Sequence, residues 1–542
     1  TVDLNELTVS TGALTFGDPI AFEVSLGALA NQPALDSDIK LAGTVSYNLS
    51  AETYHVEPLN LDIVMRGKSL PGGSATVSTR GIIDVDLKSG VAKLNELTLS
   101  GLGTDLVGQI EATQIESGTP GARGTLNLKG TDLALLFQAF ELPVAKQIAS
   151  LRERSFNFNT EFDANMESGD VTVSQLVGQM LGANLNATIS AARANTDKPA
   201  AKGNISASGP DLPSLLAIAG QLQGMEAKTL SNLVKVLGGA KDKTFDLQST
   251  FDADMDKGLI NVPTLEAKLL GNAISGNVAS KPSGDKASVA GNVNASGPDL
   301  PSLLAIVATF QGPESGLHEM SNSLSGSPNQ SFKLTTSFES DANSGVVNLP
   351  QLSASGLGLK IDGQMKGQNM ESDNGTLDGR LAIKGNKLTP LLRAMGQQNL
   401  AKSVKAIDID AGIKGTIANL TLSPLAIVMK VQNAPTKKPV NVTLTAKTTH
   451  ANLDKETLSV DGLSLKGLGM NITGNVNASK IKTEPKFEGK LNVPAFNLRN
   501  VMRSLSIEIP PMASQKSLTK FGMTTKFNGS NNSFAMKNLL MN

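Results

Sequence analysis

Residues 203–217 read Gly-Asn-Ile-Ser-Ala-Ser-Gly-Pro-Asp-Leu-Pro-Ser-Leu-Leu-Ala, and residues 291–305 read Gly-Asn-Val-Asn-Ala-Ser-Gly-Pro-Asp-Leu-Pro-Ser-Leu-Leu-Ala. Two near-copies 88 residues apart exclude chance and define the unit from which the chain is built. The first half of the unit alternates, with Ile205 and Ala207 apolar and Asn204 and Ser206 polar. A period of two is a strand with one wet face. The second half changes period. Asp211 is a good helix N-cap because its carboxylate can accept from an orphan backbone N–H, and Leu212, Leu215, Leu216 and Ala219 then fall on one helical stripe. A strand running into a short amphipathic helix is the expectation.

Working outward, Gly124, Gly203, Gly291, Gly379 and Gly489 align, with spacings of 79, 88, 88 and 110 residues. Apolar pairs follow each glycine: Leu126 and Leu128, Ile205 and Ala207, Val293 and Ala295, Leu381 and Ile383, Leu491 and Val493. Caps recur as Asp132, Asp211, Asp299 and Asn497, whereas the fourth copy has Lys387, so Thr389 before Pro390 is expected to cap there. Leu133, Leu212, Leu300, Leu388 and Leu498 open the five helices, and Phe140, Ala219, Val307, Met395 and Leu505 complete their stripes.

A second unit is a hairpin, with alternating Phe156, Phe158 and Phe162, then Phe245, Leu247 and Phe251, then Phe332, Leu334 and Phe338. The return strands carry Val171 and Val173, Ile260 and Val262, Val347 and Leu349. Between the arms lie Glu167-Ser168-Gly169, Asp256-Lys257-Gly258 and Asn343-Ser344-Gly345, where glycine supplies the positive φ that a tight turn needs. The longest spacing leaves room for an extra hairpin between Asn441 and Asn477. The expected division is an N-terminal β segment over 1–82, β modules with a helix over 83–155, 156–240, 245–330 and 332–402, a longer one over 407–505, and a C-terminal hairpin over 518–542.

Composition agrees with many short strands and turns: 542 residues hold 52 Gly and 24 Pro, with 4% aromatics, 2 Tyr and no Trp. With 48 basic and 49 acidic side chains no general positive field courts a phosphate backbone, so nucleic acid is excluded as the expected partner. A 40% apolar chain of mean hydropathy -0.06 is too hydrophobic to stay disordered. Absence of cysteine excludes disulfides and thiolate chemistry. Glycosylation sequons such as Asn186, Asn204 and Asn477 fall inside strand-like segments, which favours a bacterial source. No run of about 18 apolar residues spans a bilayer.

Catalytic constellations are not legible. His55, His318 and His450 are each alone in their neighbourhood, and solvated surface histidines are expected. The stretch 252–258, Asp-Ala-Asp-Met-Asp-Lys-Gly, has Lys257 where a calcium loop needs its glycine and Pro263 where it needs glutamate, so it reads as a hairpin tip. Gly101-Leu102-Gly103 and Gly467-Leu468-Gly469 lack the third glycine of a dinucleotide fingerprint and read as turns. No cofactor, metal or catalytic residue is expected, and the chain reads as a non-enzyme.

The combination of Gly-x-apolar-x-apolar, a further Gly, Asp-Leu and a Leu-Leu pair between long alternating strands resembles the AsmA-like family of bacterial envelope proteins, over roughly residues 83 to 542. The resemblance implies a long twisted β-sheet with an apolar trough, similar to bridge-like lipid transfer proteins. It also implies a periplasmic body held at the inner membrane by an N-terminal helix that this sequence does not contain, and partners among outer-membrane or periplasmic proteins.

The residues themselves point the same way. Some 25 to 30 strand-like segments of about five or six residues expose more apolar surface than five short helices can cover. Stacked at about 4.8 Å, such strands would extend for on the order of 120 to 140 Å. The expected fold is therefore mainly β: an elongated, twisted, largely antiparallel sheet forming an open apolar groove, with a helix every 79 to 110 residues. The expected function is to shield phospholipid acyl chains between membranes. The expected lining is Phe156, Phe158, Phe162, Val171, Val173, Ile205, Phe245, Leu247, Phe251, Ile260, Val262, Val293, Phe332, Leu334, Phe338, Leu381, Ile383, Leu491 and Val493. The alternatives are a scaffold for assembly of outer-membrane proteins, which offers a sheet edge, and a closed β-solenoid at the cell surface.

Overall fold

The computed structural model describes residues 2–15, 17–31, 34–222, 224, 227–284, 286–311, 317–327, 329–370, 374–394, 397–416, 418–432, 439–504, 507–509, 514, 516–530 and 533–541. The protein is mainly β, with 63% of residues in strands and 14% in helices, and the 29 strands among the described residues pair in antiparallel ladders. It divides into two units, Thr1–Gly271 and Asn272–Asn542, and the division falls inside the module expected over 245–330.

In each unit, strands consecutive in the chain pair antiparallel, except that Val440–Ala446 and Thr448–Asn452 both lie between Asn419–Val431 and Thr457–Gly467. In the first, Phe156–Asn165 pairs with Gly121–Gly130 on one side and Asp170–Met180 on the other. In the second, Phe332–Asp341 lies between Lys286–Gly297 and Val346–Gly356. Most strands run 10 residues or more, about twice the expected length. Mid-strand bulges explain how a strand this long follows a twisting sheet, since each adds local twist without ending the ladder. Sequence shows where they are: Pro58, Pro263, Pro350, Pro424 and Pro494 all lie at register shifts, the one place in a strand interior where a missing N–H is tolerated.

The hairpin tips are as expected, with Gly169, Gly258 and Gly345 at φ of 70°, 62° and 63°. Carboxylate and amide side chains brace them: Asn165 Oδ1 accepts from the N–H of Glu167 at 2.9 Å, and Asp341 Oδ1 from that of Asn343 at 3.0 Å. The extra strands of the long module are Val440–Ala446, Thr448–Asn452, Thr457–Gly467 and Met470–Ser479.

Nine α-helices occur among the described residues. Four begin at the leucine the sequence marks, α1 (Leu133–Ala139), α3 (Leu212–Leu222), α5 (Leu300–Gln311) and α9 (Leu498–Ser504), and α7 (Thr389–Ala394) begins one residue after Leu388. Asp132 caps α1 by accepting from Ala134 N–H at 2.9 Å, and Asp211, Asp299 and Asn497 accept likewise from the third residue on. The expected cap at Thr389 is corrected. That residue lies inside α7, and its hydroxyl donates to the Ala401 carbonyl at 3.2 Å, so it ties two helices together instead. Met395 and Leu505 lie outside the described residues.

Four of the five helices have a partner that the repeat alignment misses: α2 (Ala145–Ala149), α4 (Ala227–Gly238), α6 (Leu317–Ser325) and α8 (Gln398–Ser403). The covering elements are thus helical hairpins. The signal was present in α4, where Leu230, Leu233 and Leu237 recur at helical spacing and the last two are 2% and 0% exposed. Among the described residues no helix is long and apolar enough to cross a membrane.

Candidate functional site

Directly paired residues of an antiparallel ladder share a face, so the register decides what each side chain can meet. In the first unit one unbroken row runs Val56, Ile83, Leu94, Ile110, Gly124, Phe162, Val173, Ile189, Gly203 and Phe251. Beside it on the same face, Leu106, Leu128, Phe158, Gly178, Leu185, Ala207 and Leu247 form a second row. The second unit repeats the pattern with Gly379, Ile413, Leu422, Thr449, Val460, Val476, Gly489 and Phe527.

All nineteen sequence-nominated residues lie on these apolar faces. Val171 pairs with Ala164 and Ile260 with Ala253, nearest the hairpin tips. Val262 lies at the bulge opposite Phe251, and Ile205 pairs with Ser249. Phe245 pairs with Gly209 at the opposite strand end. In the second unit Phe338 pairs with Gly291, Val293 with Thr336, Leu334 with Ala295 and Phe332 with Gly297. Leu381 pairs with Gly363, Ile383 with Ile361, Leu491 with Gly474, and Val493 with Met523.

Their surroundings differ. Phe156, at 3% exposure, is sealed with Val144, Ile148, Leu133 and Leu181 in a small core beneath α1 and α2, and Leu128, Phe158 and Leu215 pack against it. Val493 is buried at 5%, Ile260 is 49% exposed, and the others are half-buried. Among the described residues, every large apolar side chain completely removed from solvent belongs to a helix, a helix cap or a turn: Ile148, Leu233, Leu237, Val144, Pro301 and Leu270. None comes from an apolar strand face. The chain exposes 31209 Å², whereas two compact globules of half its mass would together expose about 22,000 Å².

The glycines that revealed the repeat now have a physical reason. Each lies on the apolar face opposite a large side chain, and a Cβ on Gly291 or Gly203 would lie 2.8 Å or 3.2 Å from the Phe338 or Phe251 ring. The rings lie across the neighbouring strand because nothing stands there. A further device was read only in part, since the sequence marks Leu102-Gly103 and Leu468-Gly469 as turns but not the other three copies. Leu102-Gly103, Leu181-Gly182, Leu270-Gly271, Leu357-Gly358 and Leu468-Gly469 are two-residue turns with positive φ at both positions, between 53° and 82°. Leucine is a strained choice there, and its burial supplies the compensation: Leu181 and Leu270 are 8% and 1% exposed, and Leu181 joins the core under α1 and α2. The helical hairpins therefore sit over the strand ends that carry these turns, and the strand ends at the polar tips are left without them.

Sequence reading also nominated nothing before residue 156, yet the same face continues through Phe22, Val24, Leu41, Leu61 and Ile63. The first strands were legible only as alternation because, among the described residues, they carry no α-helix to mark a module.

The opposite face is polar and laced with ion pairs. Arg123 and Lys93 both approach Glu111, at 2.5 Å and 3.6 Å, and Arg380 donates to Asp410 at 2.8 Å, a hydrogen bond that holds the Asp410 carboxyl below its usual range. A shallow cavity of about 890 Å³ on this side includes Ser46, His55, Asp84, Lys93, Glu111 and Arg123. His55 is not alone, as its sequence neighbourhood suggested. Its Nδ1 meets Asp84 Oδ1 at 2.6 Å and its Nε2 meets Glu57 Oε2 at 3.0 Å, and the hydrogen bonds to Asp84 and then Glu57 raise its pKa. Ser46 is its cross-strand neighbour, but the nitrogen that a serine nucleophile would need is held by Glu57. In the stretch once compared with a calcium loop, Asp254 is paired with Arg193 at 2.9 Å and Lys257 at 3.0 Å, and Asp256 with Lys198 at 3.1 Å.

No family model, no curated protein and no solved structure matches the chain.

Proposed function

We propose that the apolar face of each unit is an open groove that shields the acyl chains of phospholipids while their head groups stay in water, so that the protein carries lipid between membranes. The observation that supports this is the division of burial. Among the described residues, the large apolar side chains completely removed from solvent belong to helices, caps and turns, whereas the nominated Phe, Leu, Ile and Val of the strands, apart from Phe156 and Val493, keep part of their surface exposed. Contiguous apolar surface of that kind marks a site where something apolar binds.

The energetics suit a lipid. Each methylene brought into water costs about 0.8 kcal/mol, so a two-tailed phospholipid leaving a bilayer would meet a penalty on the order of 20 kcal/mol. A face of hydrocarbon removes most of it. Because that attraction is non-directional, neighbouring rows offer similar wells and a passenger can move from row to row. No step in this mechanism requires catalysis, a cofactor or a metal. The helical hairpins at one strand end and the repeat that sets them are read as eaves over the groove. A periplasmic location, an inner-membrane anchor on a longer chain, and membership of the AsmA-like family fit this reading and form part of the proposal.

The test is transfer of a fluorescent phospholipid between donor and acceptor vesicles by the purified protein. Transfer above the spontaneous rate, abolished by acidic substitutions on the apolar face, is expected; absence of any transfer and of any co-purifying lipid would remove the reading.

A further inference from the structure

The first unit also indicates which way a passenger would lie, an inference that rests on the lipid reading above. The two ends of its strands differ in kind. At one end the apolar face passes beneath α1 and α2, where Phe156, Leu181 and Ile148 are 3%, 8% and 0% exposed and no charged side chain joins the core. At the other end the face continues past the last ladder pair into the polar hairpin tips. Leu49, Met166 and Met255 follow Tyr47, Ala164 and Ala253 by two residues, and they stand 56%, 63% and 53% exposed.

Beside this apolar lip stand groups that a polar head could meet: Glu167 and Ser168 at one tip, and Lys198 paired to Asp256 at 3.1 Å at another. Just inside the lip, the paired row Ala122, Ala164, Val171, Ala191, Ala201 and Ala253 is made of small side chains, which leaves room over the strands. From Ala164 to Phe158 the strand rises about 20 Å at roughly 3.4 Å per residue. One leaflet of a bilayer is about 15 Å deep in hydrocarbon. An acyl chain of ordinary length therefore fits between lip and eaves.

We infer that phospholipid lies crosswise, along the strand direction, with its head group at the tips bearing Met166 and Met255 and its terminal methyls beneath α1 and α2. Lipid then loads tail-first over the lip, and the helical end is a stop.

Two phospholipid probes test this on the full chain in the presence of vesicles, one with a photoactivatable diazirine at the end of an acyl chain and one with it in the head group. Adducted peptides are mapped by mass spectrometry. The tail-end probe is expected to label residues 133–151, Phe158 and Leu181, and the head-group probe residues 165–169 and 254–258. Inverted labelling, or equal labelling of both regions by both probes, overturns the crosswise orientation while adducts on Phe162 or Phe251 keep the lipid reading intact. If neither probe labels the apolar face, the lipid reading fails and the orientation with it.

Discussion

Consider the double substitution Phe162→Glu with Phe251→Glu, set against the single substitution Phe156→Glu. Phe162 and Phe251 are half-buried in the middle of the proposed groove, each paired with a glycine, Gly124 or Gly203. Losing half the burial of a phenylalanine costs about 1 to 1.5 kcal/mol per site, and on the proposed reading the new carboxylates stay hydrated on an open face. The melting temperature should therefore fall by only several degrees, at roughly 2–4 °C per kcal/mol for a unit of this size. Transfer should respond differently. An acyl chain crossing this row must strip water from two carboxylates, at an effective cost of several kcal/mol, so passage should slow by about 100-fold or more. Phe156 is 3% exposed beneath the helices, and a carboxylate there has no partner. Its variant should lose about 3–5 kcal/mol and the local helical core with it. The assays are thermal unfolding and vesicle-to-vesicle transfer on all three proteins. If the double variant proves as unstable as Phe156→Glu, the row is sealed by protein and the argument fails; if it is stable and transfers lipid at the wild-type rate, the row is not the path.

Gly209→Val should displace the Phe245 ring, whose Cε1 would lie 2.6 Å from the new Cβ, and cost about 1–3 kcal/mol, whereas Gly118→Ala, with nothing within 4 Å, should leave thermal unfolding unchanged. Leu270→Ala, at 1% exposure, should lose about 2–5 kcal/mol because its turn is held by packing rather than by conformational preference. Asp299→Ala removes the cap on α5, which accepts from Ser302 N–H at 3.0 Å, and should cost about 1 kcal/mol in the second unit. His55 has a raised pKa in the folded protein, so its contribution is complete below 6.5 and is lost as pH rises through that raised value. The small melting difference between wild type and His55→Gln should thus shrink toward alkaline pH and with added salt, because the ring is 42% exposed.

Much of the fold was legible because the repeat preserves local signals. Alternation over Phe156–Phe162 and Phe245–Phe251 fixed which side chains share a face, and the cap-plus-stripe pattern at Asp211 and Asp299 fixed where helices begin. What escaped depends on pairing between strands. Gly124 and Gly203 mark the repeat in the sequence, but only register reveals that they make room for Phe162 and Phe251. The second helices α2 and α8 have five and six residues, too few to show a period. Phe156 and Phe158 alternate like Phe162, and nothing in that pattern tells which lies beneath a helix. Leu181 and Leu270 read as unfavourable turn residues until their burial is seen.

Native mass spectrometry of the full chain, taken gently from the cells that make it, addresses the central claim most directly. The account predicts adduct masses matching phospholipids, lost in the Phe162→Glu, Phe251→Glu protein and retained in a Gly118→Ala control. A wild-type protein that carries only its own mass, and takes up no lipid when incubated with vesicles, would contradict it.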